Sequence, residues 1–217
     1  MKNISYIFYF FLLILIGCSS NNMKKITIQQ TLPFTSDRLK KFYSINKNKG
    51  TYTINTKLLE KKQFTQSEKN IVPKNFITNY LKSDYYYPVL EFSNDSHQFI
   101  GLIYKGWCNK KEPFLLFQLN SYDKAGNIID ALVIEDRFSL DPNRNIDFAI
   151  NKDGKIMIKI IKNYKVSKNS EFECLYWGFD QDMVYKETSV IHHADYTTWI
   201  FLSEFKINNN GNFVLFK

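Results

Sequence analysis

Apolar and polar positions follow four different patterns along the chain. From Ile4 to Ile16 the residues are almost all apolar. That run fits the roughly 7–15 apolar residues of an export-signal core and falls short of the ~20 needed for a bilayer-spanning helix. Residues 19 to 35 show no period and are rich in Ser, Asn, Gln and Thr, which predicts a linker. Residues 36 to 82 are mixed. Ser36-Asp37 predicts the cap of a short helix through Tyr43, and Thr51 to Leu58, with Tyr52 and Ile54 alternating, predicts a strand. Thr65-Gln66-Ser67-Glu68 has the spacing of a capping box. Pro73 predicts the first turn of a further helix with Phe76, Ile77, Tyr80 and Leu81 on one stripe.

From Asp84 onward, runs of Tyr, Phe, Ile, Val and Leu are divided by polar turns, the signature of β-strands. Three turns are alike: Asp123 to Ile128, Asn151 to Ile156 and Asn208 to Phe213, each with one glycine. Glycine after Asn or Asp suits a turn position with positive φ. The glycines lie 28 and 57 residues apart, about one and two periods, and Asn94–His97 and Phe179–Asp182 fall near the vacant places. The predicted fold is mainly β: an antiparallel up-and-down meander of about eight to ten strands, curled or barrel-like, with a short N-terminal helical region. Segments such as Phe114–Leu119 and Ile128–Ile134 are apolar at consecutive positions, so both of their faces should be covered.

Lys2, the apolar run and Leu15-Ile16-Gly17-Cys18 come in the order of a bacterial lipoprotein signal. The segment resembles the lipobox of that family over the first 18 or so residues. The resemblance implies cleavage before Cys18 and acylation of Cys18. Each buried methylene of an acyl chain adds ~0.8 kcal/mol of membrane affinity. Ser19 stands where an aspartate would imply retention at the inner membrane, so the resemblance implies the periplasmic face of the outer membrane. The expected organisation is a signal peptide at 1–17, a tether at 18–35, a basic, partly helical region at 36–82 and a β-domain at 83–217. Ser121 to Asp130 also resembles stretches of other bacterial lipoproteins, with no activity implied.

Charge and composition refine this picture. Hydrophobic residues make up 44% of the chain, enough for a packed core. Between Met23 and Lys82 there are 13 Lys/Arg against 3 Asp/Glu, whereas residues 83 to 217 hold 15 against 18. The basic half is the membrane-proximal half and is expected to be drawn to anionic headgroups, with a solvated tether as the alternative. Cys108 and Cys174 are the cysteines left after Cys18. In an oxidising compartment they are candidates for a disulfide, or for two buried thiols.

Candidate chemistry is sparse. The sequence has no phosphate-binding glycine loop, zinc-type spacing or nucleophile elbow, and no cofactor or metal is expected. His192-His193-Ala194-Asp195 is the cluster that invites a hydrolase reading, although adjacent strand residues face opposite ways and a solvated loop explains it better. Tyr85, Tyr86 and Tyr87, with Trp107 and Trp177 near strand ends, form a candidate binding surface, against ordinary core packing. The expected function is a non-catalytic, outer-membrane-anchored periplasmic binding protein with a protein partner. Its most concrete form is an inhibitor or immunity protein against an envelope-targeting toxin or hydrolase. The alternative is a carrier of a lipid or other hydrophobic ligand in a barrel-like cavity. Nucleic acid is not an expected partner at that address.

Overall fold

The computed structural model describes residues 31–46, 51–74, 81–107, 113–137, 144–165 and 187–216. The segment expected to be a signal and lipobox, Cys108, Cys174, Trp177, the turn expected at 179–182 and the helix predicted after Pro73 as far as Tyr80 lie outside the described residues. The described chain is mainly β, and every strand pairing is antiparallel.

The N-terminal part contributes β1 (Phe34–Thr35), helix α1 (Ser36–Leu39), a 3-10 turn (Lys40–Phe42), the hairpin of β2 (Tyr43–Asn46) and β3 (Thr51–Ile54), and a second 3-10 turn (Thr56–Leu58). Next come β4 (Lys62–Gln63), helix α2 (Gln66–Asn70) and β5 (Leu81–Lys82). The long strands are β6 (Tyr85–Ser93), β7 (Gln98–Trp107), β8 (Pro113–Tyr122), β9 (Ile128–Arg137), β10 (Arg144–Ile150), β11 (Lys155–Lys165), β12 (Glu187–His192) and β13 (Tyr196–Ile207), closed by the short β14 (Phe213–Leu215).

Two sheets stack face to face and do not close into a barrel. One has the order β4-β6-β7-β8-β9, with β5 also on β7; we call it the strap sheet, for reasons given below. The other, the open sheet, has the order β1-β10-β11-β13-β12, with β14 also on β13. Neighbours follow chain order from β6 to β9. The chain then changes sheet between β9 and β10, and β13 lies between β11 and β12. Stacking two sheets covers the inward faces without bending one sheet through a full turn.

The expected turns form with one geometry. In each, the first residue's N–H bonds the carbonyl four residues on, and the glycine N–H bonds the first residue's carbonyl: Asp123/Asn127/Gly126, Asn151/Lys155/Gly154 and Asn208/Asn212/Gly211. All three glycines have positive φ, at 84°, 76° and 79°.

Between the sheets the rings of Phe34, Phe117 and Phe148 meet, with centroids 5.3 to 6.2 Å apart. They come from β1, β8 and β10, so the first strand is packed into the interior. Phe99 of β7 meets Phe213 of β14 at 6.4 Å. Phe34, Leu39, Phe42, Tyr43, Ile54 and Phe64 share one core with residues of the long strands. The 82/83 composition boundary therefore does not divide the structure. Among the described residues, no helix is long and apolar enough to cross a membrane.

Candidate functional site

The outward face of the strap sheet is crossed by residues 62–74, strand by strand. β4 pairs with β6, and Phe64 packs on Tyr86 of β6 and Tyr104 of β7, at 4.7 and 5.2 Å. α2 passes over β8, and the Lys74 N–H bonds the Ala131 carbonyl on β9 at 3.0 Å. This strap covers the second face of β8, whose residues 114–122 are all buried. The sequence accounts for the local fold of α2. The Thr65 hydroxyl accepts from the Glu68 N–H at 3.2 Å, and Glu68 Oε2 accepts from the Thr65 N–H at 2.8 Å. That is the capping box expected from the spacing.

The other carboxylate oxygen of Glu68 does something the spacing does not announce. Tyr122 OH donates to Oε1 at 2.6 Å, Asn120 Nδ2 donates to Tyr122 OH at 2.9 Å, Gln118 Nε2 donates to Asn120 Oδ1 at 2.5 Å, and Tyr104 OH donates to Gln118 Oε1 at 2.6 Å. Every donor in this chain points toward Glu68, so each bond polarises the next in the same direction. Glu68 is 5% exposed and Gln118 and Asn120 are fully buried. Lys82 Nζ donates to the carbonyls of Glu68 and Ile71 at 3.0 and 2.8 Å, covering the C-terminal end of α2. The arrangement fastens the strap; it presents no reactive group to solvent.

Burial shapes titration here. Burial, reinforced by the Glu68 charge, pushes the Tyr86 hydroxyl up to about 12. Burial and the hydrogen bond to Glu68 push Tyr122 up as well. Burial lowers Lys82 to about 8, against the pull of Glu68. A tyrosine raised in the folded state stabilises it fully below pH ~10, the unfolded value, and that stability is lost as pH rises through the folded value. Lys82 works the other way, its cost to folding being relieved between pH ~8 and its unfolded ~10.4. We therefore predict that stability falls steeply only above pH ~10. Absorbance titration of tyrosinate should show a late step near pH 12 that Tyr86→Phe removes. A Tyr86→Phe profile identical to wild type would refute the assignment.

The open sheet contrasts with this. Its outward face carries Met157, Lys159 and Ile161 of β11, Thr198, Ile200, Leu202 and Glu204 of β13, Ile191 of β12 and Val214 of β14, as their register requires. Met157, Ile191 and Val214 are 37%, 46% and 45% exposed, and among the described residues no element crosses this face. At one end, a surface groove of about 520 Å³ opens between Lys206–Asn210 and Val214–Phe216. At the other end the β12–β13 turn stacks His193 on Tyr196 at 4.1 Å.

The aromatic candidates separate. Tyr85 is exposed under the Lys61 ammonium, 3.6 Å from its ring centre. Tyr86 is buried, because successive strand residues face opposite ways. Tyr87 and Trp107 are partly buried, Tyr87 against the core. His192 Nδ1 lies 3.4 Å from the Thr197 hydroxyl, and His193 Nε2 lies 3.3 Å from that of Thr198. Both histidines and Asp195 are exposed. Among the described residues, no group of three His, Cys, Asp or Glu side chains could hold a metal ion. Asp123 binds Asn127 through both carboxylate oxygens, which is turn chemistry.

Comparison finds no family model, curated protein or solved structure that matches this chain.

Part of the strap's fastening is legible in the sequence. Gln118, Asn120 and Tyr122 alternate in an otherwise apolar strand, so they share one face. The partner, Glu68, is 54 residues from Tyr122 and has no such signal.

Proposed function

We propose that the protein is a lipid-anchored, non-catalytic binding protein of the periplasmic face of the outer membrane. Its β-sandwich engages a protein partner, most concretely a toxin or hydrolase of the cell envelope that it inhibits. The lipobox-like Leu15-Ile16-Gly17-Cys18 supports the address. The unequal cover of the two sheets supports the activity: the strap seals one outward face, and the other leaves aliphatic side chains in solvent. Exposed apolar patches on small domains commonly mark contact sites. Phe34, Phe99, Phe117, Phe148 and Phe213 fill the space between the sheets, which favours partner binding over a carrier with an internal cavity.

The test separates address from activity. Wild-type protein should take up a fatty-acid probe and sediment with membranes, and Cys18→Ala should do neither. For binding, M157D and I191D place charges on exposed positions of the open sheet, and Q66D places one on the strap. A partner isolated with the wild-type protein should bind the first two variants about thirtyfold more weakly, the scale of a hot-spot loss. It should bind Q66D normally. Equal affinity for all three would remove the open sheet from the reading, and a wild-type protein without fatty-acid label would remove the anchor.

A further inference from the structure

Exposed lysines of the N-terminal part lie on two neighbouring 3-10 turns, at the end where the chain enters the fold, and on the residues just after them. The Asn55 N–H bonds the Phe42 carbonyl at 2.8 Å, and Tyr43 is register partner to Ile54. These links place the 3-10 turn Lys40–Phe42 beside the 3-10 turn Thr56–Leu58. Lys41 and Lys57 are exposed there, and Lys61 and Lys62 follow a few residues on, also exposed. Leu58 stands 48% exposed beside Lys57. The described residues 31–46 and 51–63 carry six basic side chains (Arg38, Lys40, Lys41, Lys57, Lys61, Lys62) against Asp37 and Glu60. Asp37 is engaged by Lys40 at 2.8 Å.

The chain also enters the fold at this end. Arg38 Nη1 donates to the Thr31 carbonyl, so the first described residue lies against α1. Under the lipid-anchored reading, on which this inference rests, residues 18–30 join that point to the membrane. Thirteen residues span at most roughly 45 Å, comparable to the width of a domain of this size, so the entry end stays within that reach of the lipid.

We propose that this basic end, centred on Lys41, Lys57, Lys61 and Lys62 with Leu58 among them, is a docking surface for anionic phospholipid headgroups. The lysines supply attraction on the order of fivefold in binding per side chain near a negatively charged surface, and Leu58 supplies an apolar contact at the headgroup boundary. Docked this way, the fold is held by its acyl chains and by a second, salt-sensitive contact that fixes which end faces the lipid.

The experiment uses residues 19–217, which retain every described residue and no acyl chain. Sedimentation with vesicles of 30% phosphatidylglycerol in phosphatidylcholine is measured at 50 and 500 mM NaCl, roughly one Debye length of ~13 Å against ~4 Å. Two quadruple variants lose equal charge: K41Q/K57Q/K61Q/K62Q at the basic end, and K124Q/K152Q/K159Q/K206Q elsewhere. Both should keep the wild-type unfolding midpoint. Wild-type protein should bind at low salt, with the first variant at least tenfold weaker, the second within about twofold, and binding lost at high salt. Equal losses in both variants, equal binding to pure phosphatidylcholine, or no binding would overturn the proposal. So would tighter binding to a random-sequence DNA duplex than to the vesicles. Fatty-acid labelling of Cys18 in the full chain is read separately. Label without vesicle binding defeats the docking surface alone, and vesicle binding without label defeats the anchor alone.

Discussion

Glu68→Ala should lower the unfolding free energy by about 3 kcal/mol, because it removes half of the capping box and orphans a buried donor in one step. The smaller share is the lost bond from the Thr65 N–H to Glu68 Oε2, while the Thr65 hydroxyl still accepts from the N–H of residue 68. The larger share comes from the other oxygen. Tyr122 OH donates to Glu68 Oε1 and accepts from Asn120 Nδ2 beneath the strap, and alanine leaves its proton without an acceptor. A buried donor so stranded costs ~1–3 kcal/mol. Glu68→Gln should cost less, because an amide oxygen still receives the tyrosine proton. Its NH2 then opposes the Thr65 N–H, so that half of the capping box is lost and the relay kept. Tyr122→Phe strands Glu68 Oε1 in turn, while Oε2 keeps the Thr65 N–H. The double variant Glu68→Ala/Tyr122→Phe should therefore cost less than the sum of the two singles, as expected for groups in one network.

Chemical denaturation gives these magnitudes, and hydrogen exchange locates them. The amides of Phe64 and Lys74 bond the Asp84 and Ala131 carbonyls at the two edges of the strap sheet. In Glu68→Ala they should lose protection before the amides of β8 do, as the strap opens locally ahead of global unfolding. A loss of stability below ~1 kcal/mol with both amides still protected would mean that apolar packing of Phe64 holds the strap without the relay.

How far the sequence reaches depends on whether a residue's role is local. The three glycine turns and the Thr65–Glu68 box are set by residues within five positions of one another, and all were legible. So was the need to cover both faces of β8, since Phe114 to Leu119 leaves no polar face for water. Which element supplies the cover was not legible, because Glu68 approaches Tyr122 through tertiary folding. The place of β13 between β11 and β12 was hidden for the same reason. Strand succession is the default in a meander, and nothing in Lys155–Lys165 or Glu187–His192 names its neighbour. The tyrosine triplet obeys a local rule: in a strand, Tyr85, Tyr86 and Tyr87 cannot all share one surface. The exposed aliphatic face of the open sheet was obscured by lysines, since Met157 and Ile161 flank Lys159 and together read as an ordinary half-exposed strand.

The same local rule, placed in three different surroundings, gives the second large effect. Gly126, Gly154 and Gly211 occupy equivalent turn positions with φ of 84°, 76° and 79°. Alanine at any of them pays the left-handed penalty of ~1–2 kcal/mol. A side chain at Gly126 would meet nothing within 4 Å, and one at Gly154 would meet Ile207 at an ordinary 3.6 Å. At Gly211 a Cβ would sit 2.8 Å from His97 Cδ2 and 2.9 Å from Ser121 Oγ. Ser121 is fully buried in β8, and its Oγ and His97 Nδ1 have no hydrogen-bond partner among the described residues. The buried Ser121 has no solvent to turn into, so an added carbon must displace His97 or the turn itself. The turn is also tied down beyond Gly211, since the Phe213 N–H bonds Asp130 Oδ2 at 2.8 Å. Overpacking of this kind adds ~1–3 kcal/mol. Gly126→Ala and Gly154→Ala should thus each cost ~1–2 kcal/mol and Gly211→Ala about 3 or more. Asparagine, which tolerates left-handed backbone, separates the two terms: Gly126→Asn should be nearly neutral and Gly211→Asn still severe. Ser121→Ala should recover part of the loss in Gly211→Ala by removing the oxygen while keeping the strand. If urea denaturation gives the three alanine variants equal losses, the contact of the last turn with His97 and Ser121 is not what makes Gly211 necessary.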